Sequence, residues 1–514
     1  MLSFGELWVT IVVYIFLILG IGGFINHQRS KNPGASLFTS KLPWFQAVMT
    51  YIASLMSVWV FFAGPAGYYK GGFTYWISEM IWLPVFALSA HFITNRIWAL
   101  SRKREYVTPA DSFCDRYQGR GTKVLRGLVG LIMLISAFPY ITSVVAAIAH
   151  GGIRVSDGSI SYASISLTVG VSMVLFTAIG GFKSVALTDT IQGILFFCVL
   201  WLISLVVVFY LYDGSYLKAF KEVYNTDNGV FFSYPGPNGW ESYGYRFGYP
   251  FALIIGYSVM LPHIFVRACY ASRDLKAQRK LTTWTPVVRF LVWGACFVIG
   301  LVCFGAIPGL DGKSAEYVIP YLIEGTVFPN NPIFAHVLMI LFFCGACGVG
   351  ISTADSYLLA AASIVTDDFI TGIFGVKLTH KAKTLIGRIV ILVIGLAGVL
   401  MAIDPPGLIV DLIMFSIGIT MPLWPILVMG IWWRKATTTA AVAAIIAGMI
   451  GIWIQYMVLK NGGTYYGALG MLFSFITMFV VSLITYTPAK ENKKYHEDMV
   501  EGLNEIYIVD PAVK

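Results

Sequence analysis

Apolar residues run along this chain in long stretches, separated at intervals by short polar or glycine-rich segments. A bilayer core of about 30 Å needs roughly twenty consecutive apolar helical residues. Stretches of that kind fall at 5–26, 44–66, 75–100, 124–150, 160–180, 187–212, 247–270, 286–307, 333–366, 384–403, 406–433, 437–458 and 464–486. The pattern predicts an all-α membrane protein of about 13 transmembrane helices. The first stretch is long and lacks the small-residue cleavage site of a secretory signal, so it reads as an uncleaved helix.

Composition agrees. Hydrophobic residues make up 57% of the 514 and charged residues only 12%, more apolar surface than water tolerates. The seven cysteines lie mostly inside apolar runs, which argues against an extracellular disulfide framework. Cys344 and Cys347 form a C-x-x-C among Gly and Ala, where small-residue packing is the simpler reading.

The net charge of +9 would suit nucleic acid, but its distribution has a simpler cause. Lys and Arg concentrate in alternate loops, about 28 in one set against 7 in the other. The larger set includes the dense group from Arg96 to Arg126, Arg267 to Arg289 and Lys377 to Arg388. The positive-inside rule then places the N-terminus outside and the C-terminus in the cytoplasm of a plasma-membrane protein, with anionic lipid rather than DNA as partner.

Two spans carry breaks. The second reads Ala53-Ser54-Leu55-Met56-Ser57-Val58-Trp59 and then Gly64-Pro65-Ala66-Gly67; the seventh reads Gly256-Tyr257-Ser258-Val259-Met260-Leu261-Pro262-His263. Proline removes a donor and glycine tolerates unwinding, and irregular backbone at membrane depth must line a cavity or be buried. These spans open two five-helix units of opposite topology, the pattern of a transporter with a central site. Proline and glycine that merely kink or pack helices give the same letters. The units predict a first helix and cytoplasmic loop (1–43), a first repeat (44–212), an outside loop (213–246), a second repeat (247–433), two further helices (434–487) and a charged cytoplasmic tail (488–514).

Ionisable residues inside spans are rare and default to functional roles. Glu79, Asp189 and Asp355 stand out. Ser352, Asp355 and Ser356 are spaced i, i+3 and i+4, so one helical face presents two hydroxyls and a carboxylate, with Thr353 on the adjacent face. Hard cations want oxygen ligands, and hydroxyls plus carbonyls freed at a helix break supply them. The alternative is that Ser and Thr bond carbonyls of their own helix while Asp355 pairs with a basic group. Asp189 also reads as a helix N-terminal carboxylate, and Glu79 as either a solute ligand or an ion-pair partner.

The Gly-Gly-Phe…Leu-Thr-Asp-Thr-Ile-Gln-Gly run (180–193) and the Ser-Thr-Ala-Asp-Ser-Tyr…Thr-Asp-Asp run (352–368) together resemble the sodium/solute symporter family. Matching runs extend from Ala53 to Pro65, from Leu261 to Arg267 and from Trp432 to Ala440, so the resemblance covers essentially the whole chain. It implies the inverted-repeat leucine-transporter fold, with one helix before the ten-helix core and two after. The family's sodium site maps onto the carbonyls of Ala53, Met56 and Val349 and the hydroxyls of Ser352 and Thr353. A second cation site, present in some members, maps onto Ser352, Asp355, Ser356 and Asp189; serine is usual where Asp355 stands. Leu55 and Met260-Leu261 depart from the proline carriers, while 64–70, Ile81-Trp82-Leu83-Pro84 and Leu-Pro-His look more like the pantothenate and monocarboxylate carriers. Expected solute-pocket positions are Ser57, Trp59, Glu79, Tyr257, Ser258, Ser416 and Thr420.

The expected function is sodium-coupled symport of a small organic solute, a monocarboxylate or pantothenate-like acid, by alternating access. A proton-coupled carrier of an amino acid or other solute, and a solute sensor without flux, are the competing readings. No H-E-x-x-H, G-x-S-x-G or phosphate-binding loop points to an enzyme.

Overall fold

A computed structural model describes residues 2–30, 36–80, 82–237, 260–310, 314–406, 409–459, 467–488 and 492–507. Among them the chain is helical, with no strand beyond a single bridge between Leu42 and Ser272. Among the described residues, ten helices are long and apolar enough to cross a bilayer. Each falls on one of the stretches read from the sequence.

The chain opens with α1 (Phe4–Ser30), then α2 (Trp44–Met56), α3 (Ala63–Met80), α4 (Trp82–Ser89) and α5 (Asn95–Arg104), the last two joined by a π-turn. A short α6 (Pro109–Arg116) leads into α7 (Thr122–Val155), α8 (Tyr162–Gly180) and α9 (Phe182–Tyr212), and α10 (Tyr216–Thr226) follows. After α11 (Pro262–Cys269) come α12 (Leu275–Ala306), α13 (Val318–Leu322), the long α14 (Pro332–Ser363) and α15 (His380–Ile403). Four more complete the chain: α16 (Ile409–Thr420), α17 (Leu423–Trp432), α18 (Thr438–Trp453) and α19 (Ala468–Thr485), then the tail helix α20 (Lys493–Tyr507).

The expected spans at 44–66 and 75–100 are not continuous long helices. Their irregularity is local and has identifiable causes. Helix α2 stops at Met56 because Ser57 takes φ 55°, ψ −174°; one 3₁₀ turn (Val58–Val60) follows before α3 begins at Ala63. Within α3 the chain turns at Gly72, whose φ is 57°. A side chain there would meet the Phe231 carbonyl oxygen at 2.3 Å, so only glycine fits. Much of the seventh span lies outside the described residues, but α11 starts with Pro262 in its first turn, where proline's missing donor is harmless.

Helix α14 is the centre of the molecule and packs against α9, α7 and α2. Its small residues permit the approach. A Cβ on Gly350 would lie 2.8 Å from Val58 of the unwound segment, the close contact that small residues allow between membrane helices. By contrast α19 turns a ridge of large apolar side chains, including Phe475, Phe479 and Ile484, away from the protein.

Candidate functional site

The last four carbonyls of any helix lack intrahelical partners, and in α2 these belong to Ala53, Ser54, Leu55 and Met56. The break at Ser57 therefore exposes a set of acceptors at membrane depth, facing α14. There the Ser352 hydroxyl lies 3.0 Å from the Ala53 carbonyl and 2.9 Å from that of Val349. The Thr353 hydroxyl lies 3.2 Å from the Ser54 carbonyl, 3.4 Å from Ala53 and 3.0 Å from Val349. All of these groups are buried.

A count of protons is informative here. Five oxygens converge, namely three carbonyls and two hydroxyls, but only the two hydroxyls carry hydrogen to donate. Each hydroxyl can serve one carbonyl at a time. The cluster is thus oxygen-rich and proton-poor, a surplus of lone pairs that suits a hard monovalent cation and carries no full charge. The hydroxyls make contacts of both kinds. Ser352 and Thr353 bond back to Val349 of their own helix, and they also reach across to α2.

The structure places the expected sodium ligands Ala53, Val349, Ser352 and Thr353 together. Met56 is the last residue of α2, one turn beyond them. The Ser54 carbonyl joins the cluster unannounced, since main-chain oxygens leave no mark in the letters.

The residues expected to form a second cation site divide. Asp189 accepts from Arg267 Nη2 at 3.0 Å and from the Thr50 hydroxyl, and Arg267 also donates to Thr50 at 3.2 Å. Asp355 accepts from the Thr177 hydroxyl at 2.5 Å, and its second oxygen is buried without a hydrogen-bond partner among the described residues. Ser356 lies 3.0 Å from the Ser54 hydroxyl and bonds the Ser352 carbonyl of its own helix. Arg267 was expected to count among the cytoplasmic loop charges; it is 1% exposed against a fully buried Asp189. Arg289, assigned to the same loop, is likewise buried and donates to Glu79 at 2.9 Å. Both are corrections to the loop tally. An arginine at the margin of an apolar stretch looks like a loop residue when its partner is far away in sequence.

Among the expected solute positions, Ser57 sits at the break itself, buried, its hydroxyl without a partner among the described residues. Trp59 donates its indole N–H to the Tyr75 hydroxyl at 3.2 Å, and Tyr75 in turn bonds Glu79. That chain ties Trp59 to the Glu79–Arg289 pair. Ser416 and Thr420 are buried on α16 and bond carbonyls of their own helix, at Leu412 and Ile417. Tyr257 and Ser258 lie outside the described residues.

Comparison with known proteins accords with this geometry. The sodium:solute symporter family profile matches residues 37–448. The chain belongs to the sodium:solute symporter family. Its curated relatives include the osmoregulated proline transporter OpuE of Bacillus subtilis, 27% identical over 505 residues that cover 94% of this chain and 96% of that protein. The sodium/pantothenate symporter of Haemophilus influenzae is 28% identical over 450 residues, 85% of this chain and 88% of its own. The sodium/proline symporter of Escherichia coli is 26% identical, covering 95% and 94%. Among solved structures, a Na+-coupled sialic acid symporter in an outward-open, substrate-bound state superposes with a TM-score of 0.75 at 17% identity, over 93% of this chain and 98% of that one. The symporter family member described here is accordingly a multi-pass membrane transporter, with sodium as the co-transported ion.

Proposed function

We propose that this symporter carries a small organic solute into the cell together with sodium bound between the end of α2 and the hydroxyl face of α14. The observation that carries the reading is the five-oxygen cluster with two donatable protons. Sodium arriving from outside would stitch α2 to α14 and so favour the state that admits solute; closure and release to the cytoplasm would follow. The Ala53, Ser54, Val349, Ser352 and Thr353 oxygens are the ligands, with Met56 one turn away. We assign the solute to the region of Ser57, Trp59 and Glu79, with Tyr257, Ser258, Ser416 and Thr420 as further candidates, and its class to monocarboxylates or pantothenate-like acids.

In this reading ten of about thirteen spans form two inverted five-helix repeats, 44–212 and 247–433, in the leucine-transporter arrangement, with one span before and two after, the N-terminus outside and the tail in the cytoplasm. The discontinuities after Met56 and before Pro262 support the pairing, since broken helices in corresponding positions mark a transporter's centre.

Charge counting makes Asp355 the residue to watch. Asp189, Asp355 and Arg267 leave one uncompensated negative charge in a buried cluster. A second cation near Asp355 and Ser356 would neutralise it. One charge crossing 100 mV yields about 2.3 kcal/mol, roughly 40-fold accumulation at about 1.4 kcal/mol per decade. A monoanion moving with one sodium loses that term, and a second cation restores it. A proton on Asp355 is the second reading, favoured by the same unpartnered oxygen.

The test is uptake into proteoliposomes of labelled proline, pantothenate and short monocarboxylates, with sodium, potassium and proton gradients imposed separately. Accumulation of one solute class under a sodium gradient alone is expected. Uptake driven by protons and indifferent to sodium would overturn the coupling assignment.

A further inference from the structure

The Leu-Thr-Asp-Thr-Ile-Gln-Gly run on α9 carries a second buried polar side chain, Gln192, three residues beyond Asp189 and so on the same face of the helix. Asp189 meets Thr50 of α2. One turn further along both helices, Gly193 lies against α2: a Cβ on Gly193 would sit 3.7 Å from that of Ala53 and 3.4 Å from the Met49 carbonyl oxygen. Gln192 itself lies against α14, where a Cβ on Gly348 would come within 3.3 Å of the Gln192 Cγ. Ala53, and Val349 beside Gly348, both give their carbonyls to the oxygen cluster. Gln192 therefore stands next to that cluster. Its side chain is 3% exposed, and its amide nitrogen donates to the Tyr14 hydroxyl of α1 at 2.7 Å. The two arms of a planar carboxamide diverge, so a nitrogen held by α1 turns the oxygen away from α1. That oxygen is buried and has no donor among the described residues. Buried acceptors are rarely left so, and a bound ion or an ordered water is a common reason.

We propose that Gln192 is a further oxygen ligand of the transported sodium and that Tyr14 is the positioning residue that aims it. The proposal rests on the sodium assignment above and deepens it. A carboxamide oxygen is a neutral, hard donor of the same kind as the main-chain carbonyls of the cluster. It strengthens the cage without adding a full charge, so the ion stays exchangeable. It also gives α1 a part in coupling. That helix packs on α8, α9 and α14 and lies outside the ten-helix core of the proposed fold. Through the Tyr14–Gln192 bond it restricts the carboxamide to one orientation before the ion arrives, which removes an ordering cost from binding.

The test reads sodium binding without relying on transport. Thermal unfolding of the detergent-solubilised full chain is followed as sodium chloride replaces choline chloride, and the sodium concentration giving half the stabilisation is taken as the midpoint. The series comprises the parent, Gln192→Leu, Gln192→Glu, Tyr14→Phe, the Tyr14→Phe/Gln192→Leu double variant and Ser352→Ala. Losing one neutral ligand should raise the midpoint in Gln192→Leu at least about fivefold. Gln192→Glu keeps an oxygen in place and should not raise it. Tyr14→Phe should raise it by less than Gln192→Leu does. The double variant should match Gln192→Leu, because with the oxygen gone there is nothing left to aim. A bond that only supports the fold would lower the Tm without sodium and leave the midpoint where it was. That outcome overturns the proposal, as do equal losses in the Leu and Glu variants or additive losses in the double variant. If Gln192→Leu leaves the midpoint in place while Ser352→Ala shifts it, the sodium site stands and Gln192 is no part of it. If Ser352→Ala leaves it in place as well, the sodium site itself falls and takes this proposal with it.

Discussion

Two polar clusters lie one helical turn apart on α2 and solve the problem of buried polarity in opposite ways. Around Ala53 and Ser54 the groups are neutral, too many oxygens for the protons available. Around Thr50 the groups are ionised, with Arg267 set between Thr50 and Asp189. The charged cluster brings its own cation on a side chain and keeps it. The neutral cluster has no fixed cation, and an ion that enters it can leave again, because no full opposite charge holds it there. Carriers need the second property at the coupling site. The first suits a fixed strut that holds α9, α2 and α11 in register.

The difference is testable by breaking each cluster in turn, and the strut should give the larger effect. Arg267→Met leaves the Asp189 carboxylate buried and unpaired, which costs on the order of 3–5 kcal/mol. Scanning calorimetry in detergent should show a pronounced fall in Tm. Adding Asp189→Asn to that variant should recover most of the loss, because replacing both partners of a buried pair is often nearly neutral. Equal stability of Arg267→Met and parent would end the strut interpretation. In the neutral cluster the penalty should appear in ion binding more than in stability. Ser352→Ala or Thr353→Ala removes one of five oxygens, and the sodium concentration for half-maximal uptake should rise at least about tenfold, equivalent to about 1.4 kcal/mol. Unchanged sodium dependence in both variants would remove the site.

How much of this was readable in the letters depended on the range of the interaction. The ten long spans were legible because lipid selects for apolar stretches at every turn of a helix, a signal carried by each residue independently. The break after Met56 was legible as a polar and glycine-proline interruption, though φ 55° fell on Ser57 rather than on a glycine. Arg267 and Arg289 were misread, since their partners Asp189 and Glu79 are 78 and 210 residues away. Thr50 and Thr177, which bond the two buried aspartates, gave no warning for the same reason. The meeting of Ser352 with Ala53 spans 299 residues; only the resemblance to a known family connected them. The Ser54 carbonyl could not be read at all, because a main-chain oxygen is common to every residue type.

Between the two extremes stands Asp355, one helical turn from Ser352 on α14 and bonded by the Thr177 hydroxyl. Asp355→Ser leaves a hydroxyl on this face of α14 and removes the carboxylate. If that charge helps to hold a second cation, the variant's apparent sodium affinity should weaken by on the order of 1 kcal/mol, roughly fivefold, and the sigmoidicity of uptake against sodium should fall. Sodium curves of the same shape and midpoint in both proteins would mean that Asp355 serves only as a hydrogen-bond acceptor for Thr177.

The smallest expected effect concerns the same pairing as Arg267–Asp189, placed in water. At the protein surface Arg104 bonds Asp498 of the tail helix α20 at 2.5 Å, each side chain 20% exposed. The tail's Tyr495 and Leu503 are buried, and Gly502 packs on Ala99 of α5. Solvent screens this pair, so Asp498→Asn should cost at most about 1 kcal/mol. The loss should be visible as faster amide exchange confined to α20. The Arg104 hydrogen bond holds the Asp498 carboxyl below its ordinary pKa. A depressed value in the folded state means that the contribution is fully present above the ordinary carboxylate range. It fades as pH falls through the depressed value. Molar salt should mimic the substitution at neutral pH, since the Debye length there is about 3 Å. Arg267–Asp189, shielded from ions, should not respond to salt. If salt lowered the stability of both pairs equally, burial would not be what separates the fixed strut from the surface clasp, and the contrast between the two clusters on α2 would lose its physical basis.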